Sequence, residues 1–534
     1  MKYNSSNIIR YYIPALIIIL ISALLRFSSL TIRPMHTDEA VHAIKFGALL
    51  EHGYYRYDKT EYHGSALNYF TLIPAWLRSQ KTLASLDEST LRIVPACAGL
   101  GLILLIFLLA NGFGRILAIV VAFITSISPL LIFFSRYYIQ EALLVFFTLG
   151  SIISVYRFIL TRRSGWLILT GTFLGLMFAT KETSMINLFV MLVAFCLTLL
   201  FRFIKIEEIK KYLLSFKLWN IVVIVGIAVI ISFLFYSSFF SNPKGIYDSI
   251  STYQNYFRKA GSSQIHNHPW YYYLQLLSFS KSPSGMIWSE IWILIAACIG
   301  IYSLIRKKHN GAVHYYLILY LGLYTLILMI VYSIIPYKTP WNMLGFYHGL
   351  IILAGYGIVQ SYFAVSRLWP KILLGSFVLI GSIHLLIQSY ILNFKTPSDP
   401  WNSYVYAHTG NDIYRIVSRI DSIALAYPAG TGIPVEIIYP GHDYWPLPWY
   451  LRNYKNIGYR ESVSFDQPVP PLILASPALE KDIIKRLYEI PPPGERNLYL
   501  PLFENYIELR PMVEIRGYVR KDVWDAFIRL SSYR

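Results

Sequence analysis

Residues 11–40 read YYIPALIIILISALLRFSSLTIRPMHTDEA. An aliphatic run ends at Arg33-Pro34 and gives way at once to the polar stretch His36-Thr37-Asp38-Glu39. A helix crossing the hydrocarbon of a bilayer needs roughly 20 apolar residues, and residues 11–32 meet that length. They are too long for a cleaved signal peptide, and Arg33-Pro34-Met35-His36 is a poor cleavage sequence. This segment is therefore expected to be a retained first span.

The same pattern recurs along the chain. Apolar runs follow near 93–111, 115–134, 140–160, 166–180, 184–204, 218–240, 287–305, 313–335, 341–363 and 371–392. Residues 1–393 thus predict an all-α polytopic membrane bundle of about 11 transmembrane helices. The composition agrees: of 534 residues 55% are hydrophobic and 14% charged, where soluble domains carry about a quarter charged residues. Mean hydropathy is +0.48.

The net charge of +18 is confined to that bundle: residues 1–393 carry 31 basic and 13 acidic side chains, and residues 394–534 carry 16 of each. With the N-terminus placed in the cytoplasm, the short cytoplasmic segments hold Lys2, Arg10, Arg115, Arg157, Arg162, Arg163, Arg202, Lys205, Lys210, Lys211, Lys217, Arg306, Lys307, Lys308, Arg367 and Lys371. Against them stand only Glu207 and Glu208, and the short loops on the other side hold only Arg136, Lys181 and Lys338. This is the positive-inside pattern. The basicity is a topology signal and not a nucleic-acid surface. A multi-pass plasma-membrane protein with an extracytoplasmic C-terminal region follows.

That region, 394–534, predicts a small α/β domain. A helix is expected over 411–426, capped near Thr409 or Asn411, with strands at 435–439, 472–475 and 513–519. Ser476-Pro477 offers an N-cap and a first-turn proline, opening a helix to about 488. Two outer segments are long, 33–92 and 241–286, and long loops flanking a bundle commonly carry function. Cys97, Cys196 and Cys298 fall in or beside apolar runs, without metal spacing, and are expected to be small buried hydrophobes.

Polar groups that interrupt apolar spans are costly and so mark candidate sites. By the topology above they share one side: His36 to Glu39, Tyr62-His63-Gly64, Arg136-Tyr137-Tyr138-Ile139-Gln140-Glu141, Lys181-Glu182, and Tyr337-Lys338-Thr339-Pro340-Trp341. Each sits at a different helix mouth, and together they predict one polar pocket. Asp38 and Glu39 can deprotonate an acceptor hydroxyl, or cap a helix start as a solvated acid pair. Arg136 and Lys181 can hold a phosphate, or form ion pairs with Glu141 and Glu182. Lys338 is a third cation, or an interfacial anchor among aromatics. A divalent metal held by His36, Asp38 and His42 is a competing reading, since imidazole and carboxylate suit zinc or manganese. Their spacing does not fall on one helical face, so hydrogen-bonding histidines are expected and no metal site is assigned. Tyr444-Trp445-Pro446-Leu447-Pro448-Trp449-Tyr450 reads as a contact surface or as packing onto the membrane.

These stretches, with Thr180 and Tyr444 to Arg452, resemble the GT-C superfamily of membrane glycosyltransferases, which includes protein O-mannosyltransferases, the aminoarabinose transferase and oligosaccharyltransferases. Within it they resemble a prokaryotic branch related to the O-mannosyltransferases and described as flippase-activity-associated. The resemblance spans essentially the whole chain, although Ser65 follows Tyr62-His63-Gly64 where proline is expected. It implies transfer of a hexose from a polyprenyl-phosphate donor to a glycan, lipid or protein acceptor on the extracytoplasmic face. Asp38 falls on the family's acidic position as base, with Glu39 in support. His63, Arg136, Tyr137, Glu141, Lys181, Glu182 and Lys338 become candidate substrate contacts, Arg136 and Lys181 facing the leaving phosphate. A flippase component without transfer chemistry is the alternative, and the chain lacks the paired halves such transporters show.

Overall fold

The computed structural model describes residues 5–59, 63–202, 207, 217–262, 266–281, 287–306 and 314–532. Tyr62, Lys2, Lys205, Lys210, Lys211, Lys307, Lys308 and Glu208, invoked above, lie outside the described residues.

In chain order the membrane part comprises α1 (Ser5–Phe27), α2 (Thr37–His52), α3 (Ala66–Leu77), α4 (Glu88–Leu108), α5 (Arg115–Ile127), α6 (Pro129–Ser135), α7 (Glu141–Thr161), α8 (Gly165–Phe178), α9 (Ser184–Arg202) and α10 (Leu218–Tyr236). It continues with α11 (Lys244–Ser262), α12 (Tyr272–Ser278), α13 (Ile291–Ile305), α14 (Tyr315–Ile334), α15 (Leu344–Ala364) and α16 (Leu368–Tyr390). Every predicted apolar run coincides with a helix or a helix pair. Length and composition of the helices do not by themselves reach the expected count of about eleven crossings. Among the described residues seven helices are long and apolar enough to cross, or eight if the bent pair α5 and α6 is one span. The apolar parts of α1, α8 and α13 are shorter, at 10–17 residues. The two long loops are not loops: α2 and α3 fill the first, and α11 and α12 occupy the second.

The predicted run 115–134 is broken, with α5 and α6 meeting at 62°. Pro129 cannot donate to the preceding turn, and Ser128 takes extended backbone with its Oγ accepting from Leu131 N. A break leaves carbonyls without partners on one side and N–H groups on the other. Arg26 fills the first role, donating to Thr125 O at 3.0 Å and Ser126 O at 3.2 Å. Glu290 fills the second, accepting from Leu130 N at 3.2 Å and Ser128 Oγ at 3.2 Å. The Tyr404 hydroxyl at 2.5 Å and the Tyr347 hydroxyl hold Glu290 in turn. Cation and anion thus sit where the two half-helix dipoles favour them. The bend carries α6 towards α1 and delivers residues 136–140 beneath α2.

The C-terminal domain is α/β. Its helix α17 (Asp412–Ala426) covers a five-stranded sheet of β1 (Val435–Ile438), β2 (Ile457–Arg460), β3 (Leu472–Ala475), β4 (Tyr499–Pro501) and β5 (Arg516–Arg520), with α18 (Glu480–Ile484) and α19 (Lys521–Ser532) completing it. The strand order is β2-β1-β3-β5-β4. β1 runs parallel to β2 and β3, whereas β5 is antiparallel to β3 and β4. The predicted late strand at 513–519 is split, because Val513–Glu514 pairs instead with Glu508–Arg510. Ser476 caps as expected, accepting from Ala478 N.

The domain is fastened to the bundle at the start of α2 and α4. Thr409 Oγ1 donates to Met35 O at 2.7 Å, Met35 N to the Tyr450 hydroxyl at 2.9 Å, and Arg510 Nη1 to Thr37 Oγ1 at 2.8 Å. The aromatic stretch at 444–450 is the contact surface. Trp449 is fully buried among α2, α3 and α4 side chains, its Nε1 donates to Glu88 at 2.8 Å, and Arg452 lies 3.9 Å over its ring. The three cysteines are free thiols exposed on helix surfaces and are not buried, a correction to the sequence reading. Replacing Trp449 by alanine leaves a cavity of the kind that costs about 3–5 kcal/mol. Trp449→Ala is expected to lower the thermal midpoint in detergent and expose residues 394–534 to limited proteolysis. Trp449→Phe, which loses the Glu88 bond and part of the ring but keeps an aromatic face, is expected to do less.

Candidate active site

Two adjacent carboxylates at the head of α2 have opposite environments. His36 caps the helix, its Nδ1 accepting from Asp38 N at 3.0 Å, while Glu39 reaches back to His36 N at 3.0 Å. Glu39 is 0% exposed. Arg92 clasps it with Nε and Nη2, both at 2.7 Å, and Tyr138 N donates at 2.8 Å. Arg33 approaches at 3.5 Å. Burial opposes its ionisation, but Arg92 and Arg33 overcome that and hold its carboxyl well below the usual range. Glu39, expected beside Asp38 in the chemistry, is a fully engaged structural anion. The Asp38 side chain is 46% exposed, with His36 Nδ1 at 3.9 Å. Asp38 is the open carboxylate of the pair.

Around Asp38 stand histidines. His42, one turn on, is buried, with Gln140 Nε2 3.4 Å from its Nδ1. Burial, followed by the neighbouring His63, pushes it down to about 3, so it is neutral near pH 7. The His63 ring lies 6.1 Å from that of His42. Its Nδ1 meets Glu182 at 2.7 Å, and Glu182 also accepts from the Tyr57 hydroxyl at 2.9 Å. Burial disfavours the Glu182 charge, and His63 and Tyr57 reverse that, lowering its pKa. Gly64 makes the pairing geometric: a Cβ there would meet Ala179 O at 2.1 Å, so only glycine lets residues 63–66 run against the end of α8.

The predicted cations divide. Arg136 donates from Nη1 to Leu25 O at 3.1 Å and Ser28 O at 2.5 Å, and from Nη2 to Ser29 O at 2.9 Å. It closes the C-terminal end of α1 and does not face the pocket. Tyr137 is buried under Arg33, whose guanidinium lies 3.6 Å over its ring. Lys338 is 1% exposed and spends its ammonium on Ile335 O at 2.5 Å and His268 O at 3.1 Å. Lys181 does reach the site. It pairs with Glu141, which outweighs the effect of burial and raises its pKa, and both line a narrow pocket with Tyr332, Trp341 and Asn342. A second narrow pocket shares Val145, Asn187 and Gly345 with it and extends towards Tyr324 and His348. The cleft therefore leads from Lys181 into the bundle between α7, α9, α14 and α15.

Three contributors were not singled out in the sequence. Tyr406 places its hydroxyl 2.7 Å from His266 Nδ1 and 3.2 Å from His268 Nε2. Burial lowers both histidines, and Asp38 acts on His266 in the opposite sense. Both ring nitrogens of His36 are engaged: Nδ1 accepts from Asp38 N, and Nε2 lies 3.1 Å from Tyr406 O. Among the described residues no three His, Cys, Asp or Glu side chains are placed to hold one metal ion.

The architecture, a helical bundle carrying a C-terminal α/β domain, is similar to that of known solved structures. Residues 62–242, about a third of the chain, match the family described as dolichyl-phosphate-mannose-protein mannosyltransferase. Among solved structures, ArnT from Cupriavidus metallidurans in the apo state superposes with a TM-score of 0.61 at 14% identity, covering 94% of this chain and 97% of that one. The same enzyme bound to undecaprenyl phosphate matches at 0.61 and 13%. The oligosaccharyltransferase AglB from Archaeoglobus fulgidus, in complex with an inhibitory peptide and a dolichol-phosphate, matches at 0.53 and 11%, covering 88% of this chain and 70% of that one. No curated protein matches the chain by sequence.

Breaking the buried Glu39–Arg92 pair strands a charge, at about 3–5 kcal/mol. Glu39→Gln and Arg92→Leu are expected to lower the thermal midpoint sharply, and Asp38→Asn to leave it unchanged. Because folding depresses the Glu39 pKa, its contribution is present above the ordinary carboxyl value of 4.5 and lost as pH falls below it. A midpoint series across acid pH checks this: wild type should lose more stability there than Glu39→Gln.

Proposed function

We propose that this protein is a glycosyltransferase that moves a hexose from a polyprenyl-phosphate donor to an acceptor hydroxyl on the extracytoplasmic face of the plasma membrane. The observation that supports the reading is one open carboxylate, Asp38, at the head of α2, together with Lys181 lining a pocket in the bundle. The fold shared with ArnT and AglB supports it, since those structures hold undecaprenyl phosphate and dolichol-phosphate. The distribution of basic residues supports the outer side.

In the proposed step the acceptor O–H gives its proton to the Asp38 carboxylate. The freed oxygen pair attacks the anomeric carbon, and the bond from that carbon to the phosphate oxygen breaks. Its electrons leave with the polyprenyl phosphate, whose added negative charge Lys181 stabilises. Direct displacement inverts the anomeric centre. Lys181 has three donors, of which Glu141 takes one. His63, held by Glu182, orients the acceptor.

The test incubates the purified full chain in detergent with labelled polyprenyl-phosphate sugars and a membrane extract. Wild type is expected to transfer label. Asp38→Asn is expected to lower the rate about 10²–10⁴-fold, the usual range for a lost general base. Lys181→Met is expected to lower it as well, with weaker binding of the sugar-free lipid phosphate. Equal transfer by wild type and Asp38→Asn removes Asp38 from the mechanism. Movement of donor across liposomes without transfer favours a flippase instead.

A further inference from the structure

Tyr337 stands apart from the segment that carries it. Lys338, Thr339, Pro340 and Trp341 are buried, whereas Tyr337 is 39% exposed. A half-exposed tyrosine near a membrane surface is ordinarily an interfacial anchor. This one is held rigidly. Tyr337 and Asn267 form an antiparallel bridge, flanked by His268 N to Pro336 O at 3.1 Å and Lys338 N to His266 O at 2.9 Å. The Lys338 ammonium locks the same two strands from beneath through Ile335 O and His268 O. The Tyr337 ring meets the His266 ring nearly edge-on at 5.0 Å, and His266 is fixed by Tyr406.

The segment joins the two ends of the site. Trp341, four residues on, lines the Lys181 cavity, and its ring lies 5.7 Å from that of His36, the cap of the helix that bears Asp38. The surroundings of the Tyr337 phenol agree. Burial raises its pKa, Lys181 acts against that, and Asp38 and Glu141 act with it, so all three charges are neighbours of one ring. In the proposed reaction the leaving phosphate sits at the Lys181 end and the acceptor hydroxyl at the Asp38 end. The anomeric carbon lies between them, and the rest of the sugar must lie there too. A pyranose has an apolar C–H face, and a rigid half-exposed aromatic offers it a matching surface together with a polar tip.

We propose that Tyr337 is the platform on which the transferred sugar ring lies, a specificity-determining contact that rests on the lipid-linked-donor reading. Lys338, expected from the sequence to touch substrate, is then a positioning residue that holds the platform.

The test compares the full chain with Tyr337→Ala and Tyr337→Phe. Binding is measured to polyprenyl-phosphate hexose and to polyprenyl phosphate without sugar, alongside KM for transfer. Tyr337→Ala is expected to weaken the sugar-bearing lipid about tenfold, the scale of one lost aromatic contact, while the sugar-free lipid binds as to wild type. Tyr337→Phe keeps the ring face and is expected to recover most of that loss. An equal loss on both lipids, or no loss on either, overturns the proposal and leaves Tyr337 an anchor. If wild type transfers no sugar and binds neither lipid, the donor reading itself fails, and the platform with it.

Discussion

Glu39 is a full negative charge without water, and the arrangement of this end of the bundle follows from compensating it. A buried carboxylate persists only where several donors converge on it. Here they come from four places in the chain: Arg33 after α1, the backbone of His36, Arg92 in the first turns of α4, and Tyr138 N beyond α6. One residue thereby fixes the end of α1, the head of α2, the entry to α4 and the exit from the broken helix. Arg92 tightens the knot through Leu30 O at 2.7 Å and Arg33 O at 2.9 Å.

The break between α5 and α6 serves the same end. A straight helix over 115–134 would carry Arg136 to Gln140 past the level of α2. The 62° bend turns them under it, with Arg26 and Glu290 as the groups that make an interrupted helix tolerable among apolar side chains. Glu290 reaches on to Tyr404, so the segment entering the C-terminal domain reports on the same bend. That domain then closes over α2 through Trp449 and Arg510.

The helices were legible because apolar length is a property of the chain in one dimension. The bend carried a signal too: Ser128-Pro129 is the same cap-and-proline pair as Ser476-Pro477, but inside an apolar run it was overridden by hydropathy. The roles of individual charges were less legible. Arginine at a helix mouth looks the same whether it faces a phosphate or the last carbonyls of a neighbouring helix, and Arg136 does the latter. Arg92 lay just outside a predicted span, so nothing marked it as the partner of Glu39, 53 residues away. His266 and His268 drew no attention, because what fixes them is the pairing of their loop with residues 336–338.

The division between Asp38 and Glu39 also has a chemical logic. A base must gain a proton during the reaction, and its power falls as its pKa is depressed. A carboxylate clasped by a bidentate arginine and two backbone N–H groups is stabilised as the anion, and protonating it would break those bonds. Glu39 is therefore poorly suited to accept the acceptor's proton, however close it lies. Glu182 and Glu141 are similarly committed, to His63 and Lys181. The Asp38 carboxylate, with His36 Nδ1 at 3.9 Å, stays open to solvent. A proton arriving there displaces water rather than an arginine, which leaves Asp38 the acid at this end of the bundle best able to take one up and release it again.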